Sequence, residues 1–394
     1  MREDALFRAE VVPSLISRKS RWIDTKPINV RLARLALGLQ MAYLGVDVGS
    51  SGVKAYVIDA SGALLESRTT NIEDLMRRPR SSWAERDGTA LWNAVKITVR
   101  KLRKLEDVQA VCLDATSGSI VPVDKSGEPI YPILLYSDKR AEAEANALLK
   151  RSAVAREYEK FLPLDAYLVI PKIMWLKQNL PDFAKVAKIL NENDFLQMML
   201  TDEICTSPNV AGKAHIDVRS GGYLARVYED AGVDLELLPP LKPIGDVVGE
   251  VTKKASKETG IPEGSLVVNG VTDSTASDVA TGTSDPGQLN ATIGVSLSVH
   301  AVVREPVPDQ HRRIYYKTYL GGRFLAGGAT DAGTLPLMSV SKLLGKTVQE
   351  LDKEAESAPS GADGLIAQPQ WIGSRIPYHN PNVRGFLIGM TEGN

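Results

Sequence analysis

The 394-residue chain predicts an α/β protein of two halves, each opening on an antiparallel hairpin around a Gly/Ser turn. Three observations carry that expectation. Strand, turn and strand follow one another at 43–59, "YLGVDVGSSGVKAYVID", and again at 288–303, "QLNATIGVSLSVHAVV". An acid closes an apolar run in "GVDVG" (Asp47) and in "VVNGVTD" (Asp273), with small residues behind it each time. The length exceeds what one ordinary core fills and asks for two or three domains.

Taken in order, Tyr43 to Val48 alternates toward one buried face, and Asp59 to Gly62 separates two alternating runs as a hairpin turn. In "SSWAERDGTALWNAVKITVRKL", Asp87 is placed to cap a helix carrying Leu91, Trp92, Val95 and Val99 on one side. "VQAVCLDAT" reads as a buried strand ending in small polar residues. "SDKRAEAEANALLKRSAVAREYEKF" is rich in Ala, Glu, Lys and Arg and predicts helix. Gly and Pro punctuate 239–262. "SLVVNGVTDSTASDVATG" reads as strand, acid, helix; paired strands are expected in 288–327 and a helix in "TDAGTLPLMSVSKLLG". No low-complexity tract or short-period repeat is visible.

Composition excludes several classes. The chain is 43% hydrophobic and 24% charged, in the range of soluble globular proteins. Lys and Arg number 47 against 48 acids, which gives no electrostatic footprint for nucleic acid or a membrane surface. Cys112 and Cys205 fit a reduced, cytoplasmic setting, and His215, His300, His311 and His379 are scattered, so no zinc-site spacing exists. No apolar run reaches the ~18 residues of a membrane span. Residues 1–40 hold eight basic residues and four acids, a net of +4. Acids at the very start and the lack of a clean apolar core argue against a targeting peptide; an extension upstream of Met41 is the plainer expectation.

Gly49, Ser50, Ser51 and Gly52 form a turn whose backbone N–H groups can cradle phosphate oxygens, with Asp47 beside them as a hard oxygen donor for Mg²⁺. An ordinary hairpin with a stray acid fits the same stretch. Lys54 either adds positive charge there or points into solvent on the outgoing strand. No G-x-x-x-x-G-K-[ST] loop follows, and a hairpin rather than a helix follows the glycines, against a dinucleotide fingerprint. Asp273, between a strand and a helix of small residues, suits a general base that accepts a hydroxyl proton; it suits a helix N-cap equally well. Gly294 and Ser296 in "LNATIGVSLSV", and Gly328 in "AGGATDAG", mark two further turns.

Together and in this order, the motifs resemble the FGGY carbohydrate kinases, the sugar-kinase branch of the actin-like ATPase superfamily. "GVDVGSSGVKAYVID" resembles the family's first phosphate loop, and "WAERDGTALW" its W-x-E-x-D-x-x-x-x-W stretch. "CLDATSGSIVPVD" is similar to the sugar-contacting strand and turn, and "LYSDKRA" stands where the family has W-x-D-x-R. "LPLDAYLVIPKIMWL" is similar to L-x-x-Y-x-x-x-x-K-x-x-W, "GVTDSTASDVATG" to the segment with the family's aspartate base, and "QWIGSRIPYHNPNVRGFLIGM" to the closing signature.

The resemblance implies a two-domain sugar kinase fold of the actin-like (ribonuclease H-like) kind. Residues 41–270 would form the sugar-binding domain and 271–394 part of the ATP-binding domain, with 1–40 as an extension. It implies ATP and Mg²⁺ as cofactors and a small-molecule sugar as substrate. Asp47 would hold Mg²⁺, and Gly49, Ser50, Ser51, Lys54, Gly294, Ser296 and Gly328 would line the nucleotide. Thr116, Ser117, Gly118 and Tyr167 would contact sugar, with Asp273 as the base on its hydroxyl. The D-x-T-S-G of Asp114 to Gly118 looks more like ribulokinase-type branches, which points to a ketopentose such as xylulose or ribulose.

Three departures from the family pattern stand out. The family's Gly-Thr-Ser is Gly294-Val295-Ser296 here, and its Gly-Glu-Arg is Gly373-Ser374-Arg375. After "GMTEGN" no adenosine-holding Gly-rich turn follows, so the second domain is expected to be incomplete and completed by a missing C-terminal chain or a homo-oligomer. The alternative to a kinase is therefore an inactive or split-gene fragment that binds sugar without phosphoryl transfer.

Overall fold

The computed structural model describes residues 41–294, 296–330, 332–371, 373–374, 376, 380 and 382–391. The extension 1–40, Val295 and Arg375 lie outside the described residues.

The chain enters through β1 (Ala42–Val48), β2 (Gly52–Asp59) and β3 (Leu64–Asn71), a meander whose alternation sends Ala42, Leu44, Val46 and Val48 inward. Its second turn closes because the Asp59 carboxylate accepts the Ser61 and Ala63 N–H groups at 2.8 and 3.0 Å. Short β4 (Met76–Arg77) and β5 (Glu85–Arg86) lead to α1 (Gly88–Arg100), capped as expected by Asp87 accepting from Ala90 N at 2.7 Å. α1 turns Leu91, Trp92, Val95 and Val99 into the core. β6 (Val108–Ala115), β7 (Ile120–Val123) and β8 (Ile133–Leu134) follow.

The Ala/Glu/Lys-rich stretch forms two helices, α2 (Glu142–Arg151) and α3 (Ala153–Tyr158), instead of one. Ser152 breaks them: its extended backbone ends the first, and its hydroxyl caps the second by accepting from Ala155 N at 3.1 Å. Next come α4 (Val169–Asn179), β9 (Lys188–Asn191), α5 (Glu192–Thr201), α6 (Ala225–Ala231), β10 (Val247–Glu250), α7 (Lys253–Thr259) and β11 (Leu266–Val268).

The second half runs through α8 (Asp273–Ala280), β12 (Leu289–Ile293), β13 (Leu297–Val303), β14 (Tyr315–Thr318) and β15 (Phe324–Thr330). It continues with α9 (Leu335–Leu344), α10 (Val348–Ala355), β16 (Ile366–Gln368) and β17 (Phe386–Ile388). "AGGAT", read from sequence as a turn, lies inside β15 and pairs antiparallel with β13.

Four sheets result, the largest with order β10-β11-β6-β1-β2-β3. β1 and β11 both run parallel to β6, while β2, β3 and β10 are antiparallel to their neighbours. A five-stranded sheet, β4-β5-β8-β7-β9, abuts it, and β12-β13-β15-β14 and β16-β17 belong to the second half. One apolar core packs α1 and α5 with the large sheet, through Leu44, Val57, Leu91, Val99, Leu113 and Leu196. A second core joins α2, α4 and α6 through Leu148, Ile173, Leu176, Val227 and Tyr228. Among the described residues no helix is long and apolar enough to cross a membrane.

Candidate active site

The parallel run of β1 and β6 makes both strands deliver their last residues to the same edge. Register places Asp47 opposite Asp114 in β6 and opposite Lys54 in β2. A parallel bridge between Ala115 and Thr272 then sets Asp273 beside them. Three carboxylates distant in sequence meet at adjacent strand ends as a result.

Like charges directly opposite on a sheet repel, and the chain answers with protons and lysines. Asp114 is hydrogen-bonded to Asp47, and burial together with the Asp47 and Asp273 charges pushes its carboxyl up to about 8. The Asp47–Asp114 pair therefore retains a proton at neutral pH. Lys54 Nζ stands 3.0 Å from Asp47 Oδ2, and this contact raises the lysine above its ordinary value. The Lys54 side chain is 46% exposed on the outgoing strand while its ammonium pairs with Asp47.

Asp273 keeps some accessible surface but is crowded by protein on nearly every side. Burial raises its carboxyl, while the Ser274 N–H and the Lys317 and Lys213 ammonium groups hold it down. The N-cap position of α8 belongs to Thr272, so Asp273 is the first helical residue and its Oδ1 accepts from Ser274 N at 2.7 Å. Asn209 anchors the approach: its Oδ1 accepts from Thr272 N at 2.9 Å, and its Nδ2 donates to Thr275 Oγ1 and Thr318 O. Lys317 Nζ donates to Ser274 Oγ at 2.9 Å from β14.

The first turn is partly self-satisfied. Gly49 N donates to Gly52 O at 3.0 Å, and Ile72 N to Ser51 O at 2.9 Å, leaving the Ser50 and Ser51 amides without an acceptor among the described residues. Arg86 Nη2 donates to Ser50 O at 2.9 Å, and its Nη1 lies 3.0 Å from Glu192 Oε1 in a buried pair. Glu192 Oε2 in turn accepts from Thr116 Oγ1 at 2.9 Å. This buried chain joins the first turn to the Thr116–Ser119 turn. It also spends Thr116: its buried hydroxyl is committed to Glu192 and Ser119 and is not the open sugar contact expected of it.

Ser117, Gly118 and Tyr167 do come together. Gly118 has φ +87°, and a Cβ there would meet Lys213 Cδ at 2.6 Å and Tyr167 O at 3.2 Å, so only glycine fits. Lys213 Nζ donates to Ser117 O at 2.9 Å, and Lys139 Nζ lies 5.5 Å from the Tyr167 ring centroid.

Gly294 and Ser296 form the β12–β13 turn: Gly294 N donates to Ser296 O at 2.9 Å, and Gly294 O accepts Thr334 N just ahead of α9. Gly328 does not join them. It sits in mid-strand under Ile376, where a Cβ would meet Ile376 Cγ2 at 2.8 Å, and so packs the sheet where a ligand-lining turn was expected.

Sequence reasoning gave Asp114 no role beyond its place in the D-x-T-S-G stretch and missed Arg86, Glu192, Lys213 and Lys317. Asp114 left a signal, since "CLDAT" repeats the apolar-strand-then-acid pattern of "GVDVG". The other four act from elements whose neighbours only the fold supplies.

Carboxylates on adjacent strand ends beside a turn with free amides are parts that a phosphoryl-transfer site uses. Residues 42–280 match the FGGY family of carbohydrate kinases, N-terminal domain, and the chain belongs to that family. The xylulose kinase of Klebsiella pneumoniae is 26% identical over 359 residues, spanning 89% of this chain and 73% of that protein. In fold, the chain is similar to a xylulose kinase from Rhodospirillum rubrum (TM-score 0.81, 24% identity, 90% of this chain and 74% of the other). It is similar as well to a gluconate kinase from Lactobacillus acidophilus (TM-score 0.82, 20% identity, 90% and 73%). The α/β fold of a carbohydrate kinase expected from the motifs is thus the fold observed.

Proposed function

We propose that this carbohydrate kinase transfers a phosphoryl group from ATP to a hydroxyl of a ketopentose such as xylulose or ribulose. The observation that carries the reading is the meeting of Asp47, Asp114 and Asp273 beside the Ser117–Gly118 turn. Sugar would lie against Ser117, Gly118 and Tyr167 in 41–270, with the nucleotide between that domain and 271–394.

The residues fit Mg²⁺. The raised carboxyl of Asp114, pushed up by burial and by the Asp47 and Asp273 charges, marks a place where a cation relieves repulsion. Among the described residues no cluster of three or more His, Cys, Asp or Glu could cage a metal. One or two carboxylates completed by phosphate oxygens is how Mg²⁺ is commonly held, and Asp47 with Asp114 would supply them. When bound, the ion neutralises charge on the transferring phosphate. The free Ser50 and Ser51 amides and the Gly294–Ser296 turn would cradle phosphate oxygens, with Lys54 moving from Asp47 to the nucleotide.

Asp273 accepts the sugar hydroxyl proton at its carboxylate as that oxygen turns toward phosphorus. Burial raises this carboxyl, and the Ser274 N–H with the Lys317 and Lys213 ammonium groups favours the ionised form that a base needs. ADP release with Mg²⁺-ATP across ketopentoses and polyols, alongside Asp273→Ala, tests the reading. Sugar-dependent release that is absent in the variant supports it.

A second reading, sugar binding without transfer, draws on the Lys54–Asp47 pair, which occupies the carboxylate a metal would need. Sugar that raises the melting temperature with no ADP release would favour it.

A further inference from the structure

Lys172 is a charged side chain the chemistry above does not use, and it is the most fully enclosed lysine of the described residues, with no exposed surface. It projects from α4, and its Nζ donates to two backbone carbonyls, Gly118 O and Leu135 O, each at 2.8 Å. Both of these hydrogen-bond partners are carbonyls, not carboxylates. One step earlier in the same turn, Lys213 Nζ donates to Ser117 O at 2.9 Å. Two lysines from separate elements thus hold two consecutive carbonyls.

We infer that Lys172 and Lys213 act as positioning residues, clamping the Ser117 and Gly118 carbonyls so that the turn is fixed in its substrate-receiving shape before sugar arrives. Three further observations agree. Gly118 is held at φ +87° with the Lys213 stem filling the space of its absent side chain. The next residue, Ser119, accepts Tyr136 N at 3.0 Å through its Oγ and meets Thr116 Oγ1 at 2.7 Å, so the far end of the turn is tied as well. Burial lowers the Lys172 ammonium to about 7, and a neutral amine still carries two N–H donors for two carbonyls, so the clamp survives loss of that proton. A turn fixed in advance spends less of the sugar's binding energy on ordering.

This inference rests on the proposed sugar site, and two readouts separate its failure from failure of that reading. The first needs no turnover: amide hydrogen exchange over 116–120 in the sugar-free protein, wild type against Lys172→Met and Lys213→Met. The clamp predicts faster exchange there in both variants, with unchanged protection in α1. The second is kinetic: loss of a charge-assisted hydrogen bond predicts sugar KM raised about 10- to 100-fold, with ATP KM unchanged. A merely structural lysine would lower the melting temperature without separating the two KM values. Lys172→Arg should not rescue, because a guanidinium cannot shed its charge in a site this enclosed.

Should Lys172→Met fail to fold, the half-exposed Lys213→Met carries both measurements alone. Unchanged exchange over 116–120 in the folded variants overturns the clamp, as does a sugar KM equal to wild type. Turnover by wild type with no sugar at all would sink the kinase reading, while the exchange comparison would still decide the clamp.

Discussion

The two halves use the same building blocks and bury them very differently. α1 sends seven of its thirteen residues into the core, whereas α9 and α10 bury none. In the first half, β1 and β2 pack with α1 and α5 in one covered apolar cluster, and α2, α4 and α6 share a second. In the second, the core is Val302, Tyr319 and Leu325, while Ile293 (70%), Leu343 (77%) and Ile366 (58%) stand exposed. Amphipathic pattern alone makes an element; only a facing element makes it stable. The carboxylate edge is built on the well-covered half, and α8 is the piece that reaches across to the other.

The largest effect should fall where the halves meet. Asp273→Asn is expected to cut kcat by about 10²–10⁴-fold with the melting temperature nearly unchanged, because a base is lost and no core is. Equal loss of stability would mean that Asp273 serves the fold instead. Arg86→Met should then test the covered half: it strands Glu192 as a buried charge, which costs about 3–5 kcal/mol by denaturant titration.

A paired substitution addresses the contrast directly. Leu91→Ala should destabilise by about 2–5 kcal/mol, while Leu343→Ala should stay within about 0.5 kcal/mol, both read from chemical denaturation. A large loss at Leu343 would reveal that its face is covered in solution, and sedimentation would show by what.

The smallest effect is a slope. His215 is wholly buried, and burial alone lowers its ring to about 4 from the ordinary 6.5. The unfolded chain therefore binds a proton between these values that the folded chain refuses, so its contribution to stability falls as pH drops from 6.5 to 4. Comparison with His215→Asn isolates it, at a steepness of at most about 1.4 kcal/mol per pH unit. A wild type and variant that stay parallel over that range would show that the ring charges in place.

Much of this was legible in the sequence. The hairpin at 42–59, the Asp87 cap and the acids at strand ends are local signals, written in alternation and turn chemistry. Local signals also explain the errors. Helix propensity ran through Ser152 because the stop depends on one hydroxyl choosing the next turn's amide. Gly328 looked like a turn because a glycine in a strand declares itself only when a neighbour such as Ile376 fills its space. Thr116 was assigned to the sugar because motif spacing cannot tell which side of a turn a hydroxyl faces; Glu192, 76 residues on, decides that. Lys213 and Lys317 were invisible for a similar reason, since long-range register alone brings them to Asp273.

The parallel register of β1, β6 and Thr272 has one more consequence. Strand pairing sets the spacing of the acids, while the segments 49–51 and 116–119 that follow β1 and β6 are loops outside that pairing. Exchange of a loop residue can retune what is recognised without moving an acid. The charge geometry is thus set by backbone pairing, whereas each loop is held by ties of its own, Arg86 on the first and Lys172 with Lys213 on the second.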